Sequence, residues 1–476
     1  MLEDLSVIMP EIILLIMTCA TLIGDLYFKG KSSVMTYTMA QASLVLTLIT
    51  TLFFPRNGII HAFNDQFIAD HFAMGMKLFI LVMMFLVFVY SRNYAKEKDL
   101  AYGEFHSLAL FSTLGMMILV SSKSMLMIYL GLELLSLPLY ALVALHRNSS
   151  TAVEAGMKYF VMGALASGLM LYGISILFGI SGSIQLSEVS LYIVNAQHEN
   201  LTVALFAMIF IIVGFAFKLG AVPFHMWVPD VYQGAPTNIT LLIGTAPKLA
   251  AFGMAYRFLH DTFPSLSAQW SQFFIIIAVL SLAIGNIVAI SQSNIKRLLG
   301  YSTIAHVGFL FLGLLAAPTV GYGASIYYIV VYVFVAAVGF GVLLLLSHQG
   351  FDAQTFEDLK GLGQKRPWIA FLMLLVAFSL AGVPPTVGFY AKFMILSALV
   401  DAGLTWLAGL AVIFSLIGAY YYLKIVRVMY FEAPVMDHRI EATSDFSTVL
   451  SLNGLAILFF GIFPGGLFVF CQRMLS

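Results

Sequence analysis

Four lysines and one glutamate lie inside apolar runs long enough to cross a lipid bilayer. Lys158, Lys218, Lys248 and Lys392 each fall in such a run, and Glu133 sits mid-run in Leu130-Gly131-Leu132-Glu133-Leu134-Leu135. A charged side chain at the bilayer centre costs roughly 2.5–3.5 kcal/mol on insertion scales, so it is kept where it faces a hydrated interior or an opposite charge. Burial favours a neutral lysine, and a nearby carboxylate favours the ammonium. A lysine held between these influences can load and release a proton when its partner moves. Snorkelling to the interface is the competing account. It suits Lys158 best, at the start of its run beside Glu154, and Lys218 and Lys248 least. For Glu133 the competing account is a structural ion pair. His225 follows Lys218 by two helical turns, and His306 lies in a further run. A neutral imidazole passes protons without a large insertion cost, although a hydrogen-bonded interior histidine explains each position equally well.

Prolines interrupt two of these runs. Pro223 follows Lys218, and Pro384-Pro385 precedes Lys392. Proline removes a backbone donor and clashes with the preceding turn. In a membrane the freed carbonyls need water or neighbouring helices. Broken helices beside ionisable groups mark ion paths in transporters. Gly220-Ala221-Val222-Pro223-Phe224 resembles Ala381-Gly382-Val383-Pro384-Pro385, which points to two related halves, one around Lys218 and one around Lys392. Pro138, one turn after Glu133, is expected to kink its helix.

The elements that must position these residues are membrane helices. Of 476 residues, 61% are hydrophobic and 10% charged, and mean hydropathy is +0.97. Soluble domains carry about 25% charge, so lipid must be the main solvent here. Lys+Arg and Asp+Glu are equal at 23 each, which argues against nucleic acid or another polyanion as partner. Cys19 and Cys471 read as packing, and neither a disulfide framework nor a metal site is indicated. Met74–Met84 reads as a lipid-facing or packing surface. The acidic start, Met1-Leu2-Glu3-Asp4, is unlike a cleavable signal.

About fourteen spans are expected, from Leu5–Leu26 to Val449–Phe470, with no soluble domain between them. Lys and Arg mark the cytoplasmic side. Lys29, Lys31, Arg92, Lys96, Lys98, Arg147, Lys296, Arg297, Lys360, Lys365, Arg366, Lys424, Arg427 and Arg439 follow odd-numbered spans. The other side holds Arg56, Lys77, Lys123, Arg257 and Arg473. Both termini are therefore expected outside, which agrees with an even count.

Pro223-Phe224-His225-Met226-Trp227-Val228-Pro229-Asp230-Val231-Tyr232-Gln233-Gly234-Ala235-Pro236-Thr237 resembles the signature of the antiporter-like subunits of respiratory complex I. Gly131–Pro138, Asn294–Ser302 and Gly382–Lys392 extend the resemblance over nearly the whole chain. Val231–Pro236 looks like one branch in particular, the one without a long C-terminal lateral helix and with a lysine, not a glutamate, on the twelfth span. The resemblance implies an all-α polytopic fold of fourteen spans with two inverted five-helix repeats. Spans four to eight (104–260) and nine to thirteen (270–430) would form them, after spans one to three (1–103) and before a final helix (448–472). Spans seven and twelve would be discontinuous.

By the same resemblance Glu133 pairs with Lys218, Lys248 connects, Lys392 is terminal, and Lys158 belongs to the same hydrophilic axis. The ion would be the proton. NADH, FMN, iron-sulfur clusters and quinone would be bound by other subunits and no cofactor by this chain. The partners would be other membrane subunits and the lipid of a bacterial inner membrane. A cation/proton antiporter of the same ancestry is the alternative, though Val231-Tyr232-Gln233-Gly234 suits it less well. A passive scaffold gains nothing from buried lysines. An enzyme with its own redox centre has no cysteine cluster, dinucleotide fingerprint or obvious haem-ligand pair to stand on.

Overall fold

The computed structural model describes residues 2–27, 32–53, 58–98, 102–316, 318–348, 350–435 and 443–476. Lys29, Lys31, Arg56 and Arg439 lie outside them. Among the described residues, thirteen helices are long and apolar enough to cross a membrane. Six come first: α1 (Met9–Tyr27), α2 (Ser32–Phe53), α3 (His71–Glu97), α4 (Tyr102–Ser121), α5 (Met125–Val143) and α6 (Ser150–Ser181). A short antiparallel hairpin, β1 (Ile60–Ala62) and β2 (Phe67–Ala69), joins α2 to α3.

The seventh span is broken into α7 (His198–Leu219) and α8 (Trp227–Gly234). The eighth is α9 (Thr237–Gly244) and α10 (Ala246–Arg257), interrupted at Thr245. That interruption was not anticipated. Then follow α11 (Ser267–Ile290), α12 (Ile295–Leu315) and α13 (Pro318–Leu346). The twelfth span is α14 (Pro367–Ala381) and α15 (Val387–Asp401), each 15 residues long. Last come α16 (Thr405–Phe431), α17 (Ser444–Ile462) and a short α18 (Gly465–Arg473). Reading α14 and α15 as one broken span gives the expected fourteen.

The helices nearest the centre are the most enclosed. In both α12 and α13 about nine-tenths of the apolar window is buried, against 28% in α1, α16 and α17. The hydroxyls of Thr18, Thr47, Thr113 and Ser347 are returned to carbonyls four residues earlier, which satisfies them without leaving the helix. Met76, Met83 and Met84 on α3 are fully buried, so that face is packing.

Two basic residues assigned to the outer loops are buried instead. Lys77 is 3% exposed on α3 and pairs with Glu11 of α1 at 2.6 Å. Arg257 is 2% exposed, forks onto Asp70 at 2.7 and 2.8 Å and also meets the Val120 carbonyl. Asp70 in turn accepts from Ala73 N at the start of α3. Burial opposes the Asp70 charge, but the Arg257 guanidinium holds its carboxyl below the ordinary range. An alternation rule reads sidedness and says nothing of depth, which is why the burial of both was not anticipated.

Candidate functional site

The two proline breaks share a backbone plan. α7 ends at Gly220 with φ +83°, and α14 ends at Gly382 with φ +85°. This left-handed conformation strains any residue with a Cβ. Gly220 N–H reaches the Ala216 and Phe217 carbonyls, and Gly382 N–H reaches those of Phe378 and Ser379. Gly220 therefore matches Gly382, and Pro223 matches Pro385, each after a cis bond. The sequence alignment of the two breaks was one residue out.

A helix ends with carbonyls that have no following N–H. Below Gly220 these belong to Lys218 and Leu219, and Lys248 Nζ donates to both at 3.4 and 2.7 Å. Below Gly382 they belong to Leu380 and Ala381. Lys392 Nζ donates to both at 2.9 and 3.1 Å, and to Ser415 Oγ at 2.9 Å. A Cβ on either glycine would stand 3.5 Å from the respective ammonium. Thus one lysine occupies the same place in each break, delivered by α10 in one and by α15 in the other. Lys248 is 1% exposed and Lys392 9%. The negative end of the helix dipole adds to the attraction.

Lys218 is on the last turn of α7, 7% exposed. Its Nζ donates to Tyr140 Oη at 3.3 Å and lies 5.0 and 5.4 Å from the Tyr140 and Tyr159 rings. Ring faces attract a cation. Among the described residues, no ion pair joins Lys218 to Glu133. Glu133 Oε1 is buried without a hydrogen-bond partner. Tyr140 lies two turns beyond Glu133 on the same face of α5, beside Lys218. Glu133 and Lys218 are therefore not in contact.

Lys158 does not join this interior group. Its side chain is 42% exposed and pairs with Glu154 at 2.8 Å and Asp230 at 2.9 Å. Asp230 also holds Arg297 at 2.6 Å. These residues line a cavity of about 370 Å³ with Lys98, Lys296 and Asp352. α6 begins at Ser150, so Lys158 stands in its first turns at this polar mouth. His225 is also away from Lys218. The helix stops at Leu219, so the two-turn spacing is not helical, and His225 is half-buried between exposed Pro223 and Met226.

His306 on α12 is 7% exposed, with Nδ1 2.6 Å from Tyr328 Oη and Nε2 3.1 Å from Tyr422 Oη. It shares a small cavity with Lys392. Two participants were missed from sequence. Lys296, taken for a loop residue beside Arg297, is 1% exposed and donates to the Ala235 carbonyl at 2.7 Å. Tyr140 was not singled out. Among the described residues, no group of three or more His, Cys, Asp or Glu is placed to hold a metal ion.

Residues 122–418 match the transmembrane family described as NADH:quinone oxidoreductase/Mrp antiporter, and the chain belongs to that family. Within it, the chain is 50% identical to NADH-quinone oxidoreductase subunit N of Thioalkalivibrio sulfidiphilus, over 97% of its own length and 96% of the relative's. It is 48% identical to the protein of that name from Herminiimonas arsenicoxydans, over 98% and 97%. This is the branch expected from Val231–Pro236. A chain of respiratory complex I from Thermus thermophilus with bound aureothin superposes with TM-score 0.81 at 29% identity, covering 96% of this chain and 97% of that one. A chain of the Mrp complex from a Dietzia species, at TM-score 0.82 and 19% identity over 100% and 97%, shares the fold.

Proposed function

We propose that the chain is a proton-translocating membrane subunit of a bacterial NADH:quinone oxidoreductase. It sits in the inner membrane with both termini on the periplasmic side. NADH, FMN, iron-sulfur clusters and quinone belong to other subunits, and neighbouring membrane subunits flank this one. Spans four to eight and nine to thirteen are its two inverted halves, a division supported by the matching breaks at Gly220 and Gly382. The observation that carries the reading is the pair of buried ammonium groups, Lys248 and Lys392, on corresponding carbonyls of two broken helices. A structural role alone gives no reason to repeat so costly a burial.

In this reading Glu133 and Lys218 form the first charge couple. When they approach, the proton on Lys218 is held. When they separate, the apolar surroundings favour its release toward Lys248 and then, by way of His306, to Lys392. The test is redox-driven proton pumping by the complete complex in proteoliposomes carrying Glu133→Ala or Lys218→Ala. Fewer protons per electron, with NADH oxidation and assembly retained, is the expected result. Wild-type stoichiometry in both variants overturns the mechanism. Ion exchange by the isolated chain without NADH would assign it to the antiporters instead.

A further inference from the structure

The second half contains a chain of buried hydroxyls that the relay above leaves unused. Ser302 Oγ is 2.5 Å from Tyr422 Oη, which is 3.1 Å from His306 Nε2. On its other side His306 Nδ1 meets Tyr328 Oη at 2.6 Å, and beside this chain, as a separate pair, Thr303 Oγ1 meets Tyr332 Oη at 2.7 Å. All six groups are at most 7% exposed. They lie on α12, α13 and α16, and His306, Tyr328 and Tyr332 border the small cavity at Lys392. Burying so many hydroxyls is tolerated because they satisfy one another.

The chain has a direction. Lys296, Thr303 and His306 are spaced by seven and three residues on α12, so they share one face. Lys296 lines the 370 Å³ cavity, and its neighbours there, Lys98, Arg297 and Asp352, all follow odd-numbered spans. On α13 and α16 the residues nearer that end, Tyr332 and Tyr422, are the ones paired with Thr303 and Ser302. The hydroxyls therefore climb from Lys392 toward the polar mouth. Six residues of α12, about 9 Å of rise, separate Lys296 from Ser302. The Tyr232 ring packs against Gly300 in that interval. Its hydroxyl is buried without a hydrogen-bond partner.

We propose that this hydroxyl stripe is a second proton-uptake branch, loading Lys392 from the polar mouth without passage through Glu133 and Lys218. It rests on the proton-translocating reading of the chain. Each hop passes a proton from one oxygen or nitrogen to the next while the receiving group gives up its own. The chain carries no net charge except the proton in transit, and it is reset by rotation of the hydroxyls and return of His306 to its starting tautomer. Water entering at Tyr232 completes the step from the mouth. His306 suits the junction because either ring nitrogen can donate while the other accepts.

The test uses the complete complex in proteoliposomes, in four forms: wild type, Lys218→Met, Tyr332→Phe with Tyr422→Phe, and all three substitutions together. Phenylalanine keeps the rings and removes only the hydroxyls. Parallel branches predict fewer protons per electron for Lys218→Met and for the tyrosine pair, and a further fall for the triple variant. Ser302→Ala with Thr303→Val should reproduce the tyrosine pair from the opposite wall, and it replaces that pair if assembled complex is lost. Wild-type stoichiometry on removal of the hydroxyls in both backgrounds overturns the branch. So does a triple variant equal to Lys218→Met alone, which would make the route serial. Unchanged pumping in Lys218→Met speaks against the relay itself and is read separately from the tyrosine arm.

Discussion

The breaks at Gly220 and Gly382 solve one backbone problem with one chemical group in different surroundings. Each leaves two carbonyls, and each receives a lysine ammonium. Around the first break stands a second lysine, Lys218, which meets Tyr140 of the helix that carries the acid Glu133. Around the second, the described neighbours of Lys392 are neutral groups: Ser415, His306 and the tyrosine hydroxyls. In the proposed relay the first break responds to charge, and the second holds a proton until a neutral chain takes or supplies it. That difference follows from Coulomb's law in a medium of low polarity, where one carboxylate moving a few ångströms changes the energy of a nearby ammonium by more than a hydroxyl can.

The largest effect should come from removing the shared ammonium groups. Lys248→Met and Lys392→Met each strip two carbonyls of their donor, and an unsatisfied buried acceptor costs about 1–3 kcal/mol. Both variants are expected to lose most of this subunit's contribution to protons per electron. Relief from burying a charge offsets part of the lost stability, so assembly should survive. The comparison breaks if one lysine proves dispensable while the other does not. Assembled-complex yield and pumped stoichiometry, measured on the same preparations, decide it.

A smaller effect should come from the wall of the first site. A Cβ on Gly163 would stand 2.0 Å from Tyr140 Oη. Gly163→Ala must push that hydroxyl off Lys218 while leaving Glu133 and Lys218 in place. Overpacking of this kind costs about 1–3 kcal/mol. Pumping should fall less than with Lys218→Ala, and Tyr140→Phe should mimic it. If Gly163→Ala pumps normally with Tyr140 displaced, the hydroxyl has no part in holding the ammonium.

The sequence disclosed the interior charges because a lysine or glutamate in an apolar run is visible in one dimension. Glu133, Lys218, Lys248 and Lys392 were found in that way, and the prolines located both breaks. The register of the repeat was not visible. Two consecutive prolines at Pro384-Pro385 offer two alignments, and only the positive φ of Gly220 and Gly382 chooses between them. The partners were hidden for a different reason. Tyr140, Tyr332 and Tyr422 carry no formal charge, so in an apolar helix they read as packing. Glu11 and Lys77 meet only through the folding of α1 onto α3. Lys296 was disguised by Arg297 next to it, although its spacing from Thr303 and His306 could have revealed a shared face.

The smallest expected effect separates Lys158 from the lysines with which the sequence grouped it. Its ammonium is tied to Glu154 and Asp230 at the polar mouth, and Asp230 is tied to Arg297 of α12. Exposed pairs of this kind are screened by water and salt. On this geometry Lys158 is expected to orient Asp230 between α6 and α12 and not to store a proton. Lys158→Ala should reduce pumping less than any of the interior substitutions, and Lys158→Arg should restore it, because any cation at that point can hold Asp230. The residual effect should shrink further as salt is raised. A loss as deep as that of Lys248→Met, unrescued by arginine, would put Lys158 back among the proton carriers and make the mouth itself part of the first charge couple.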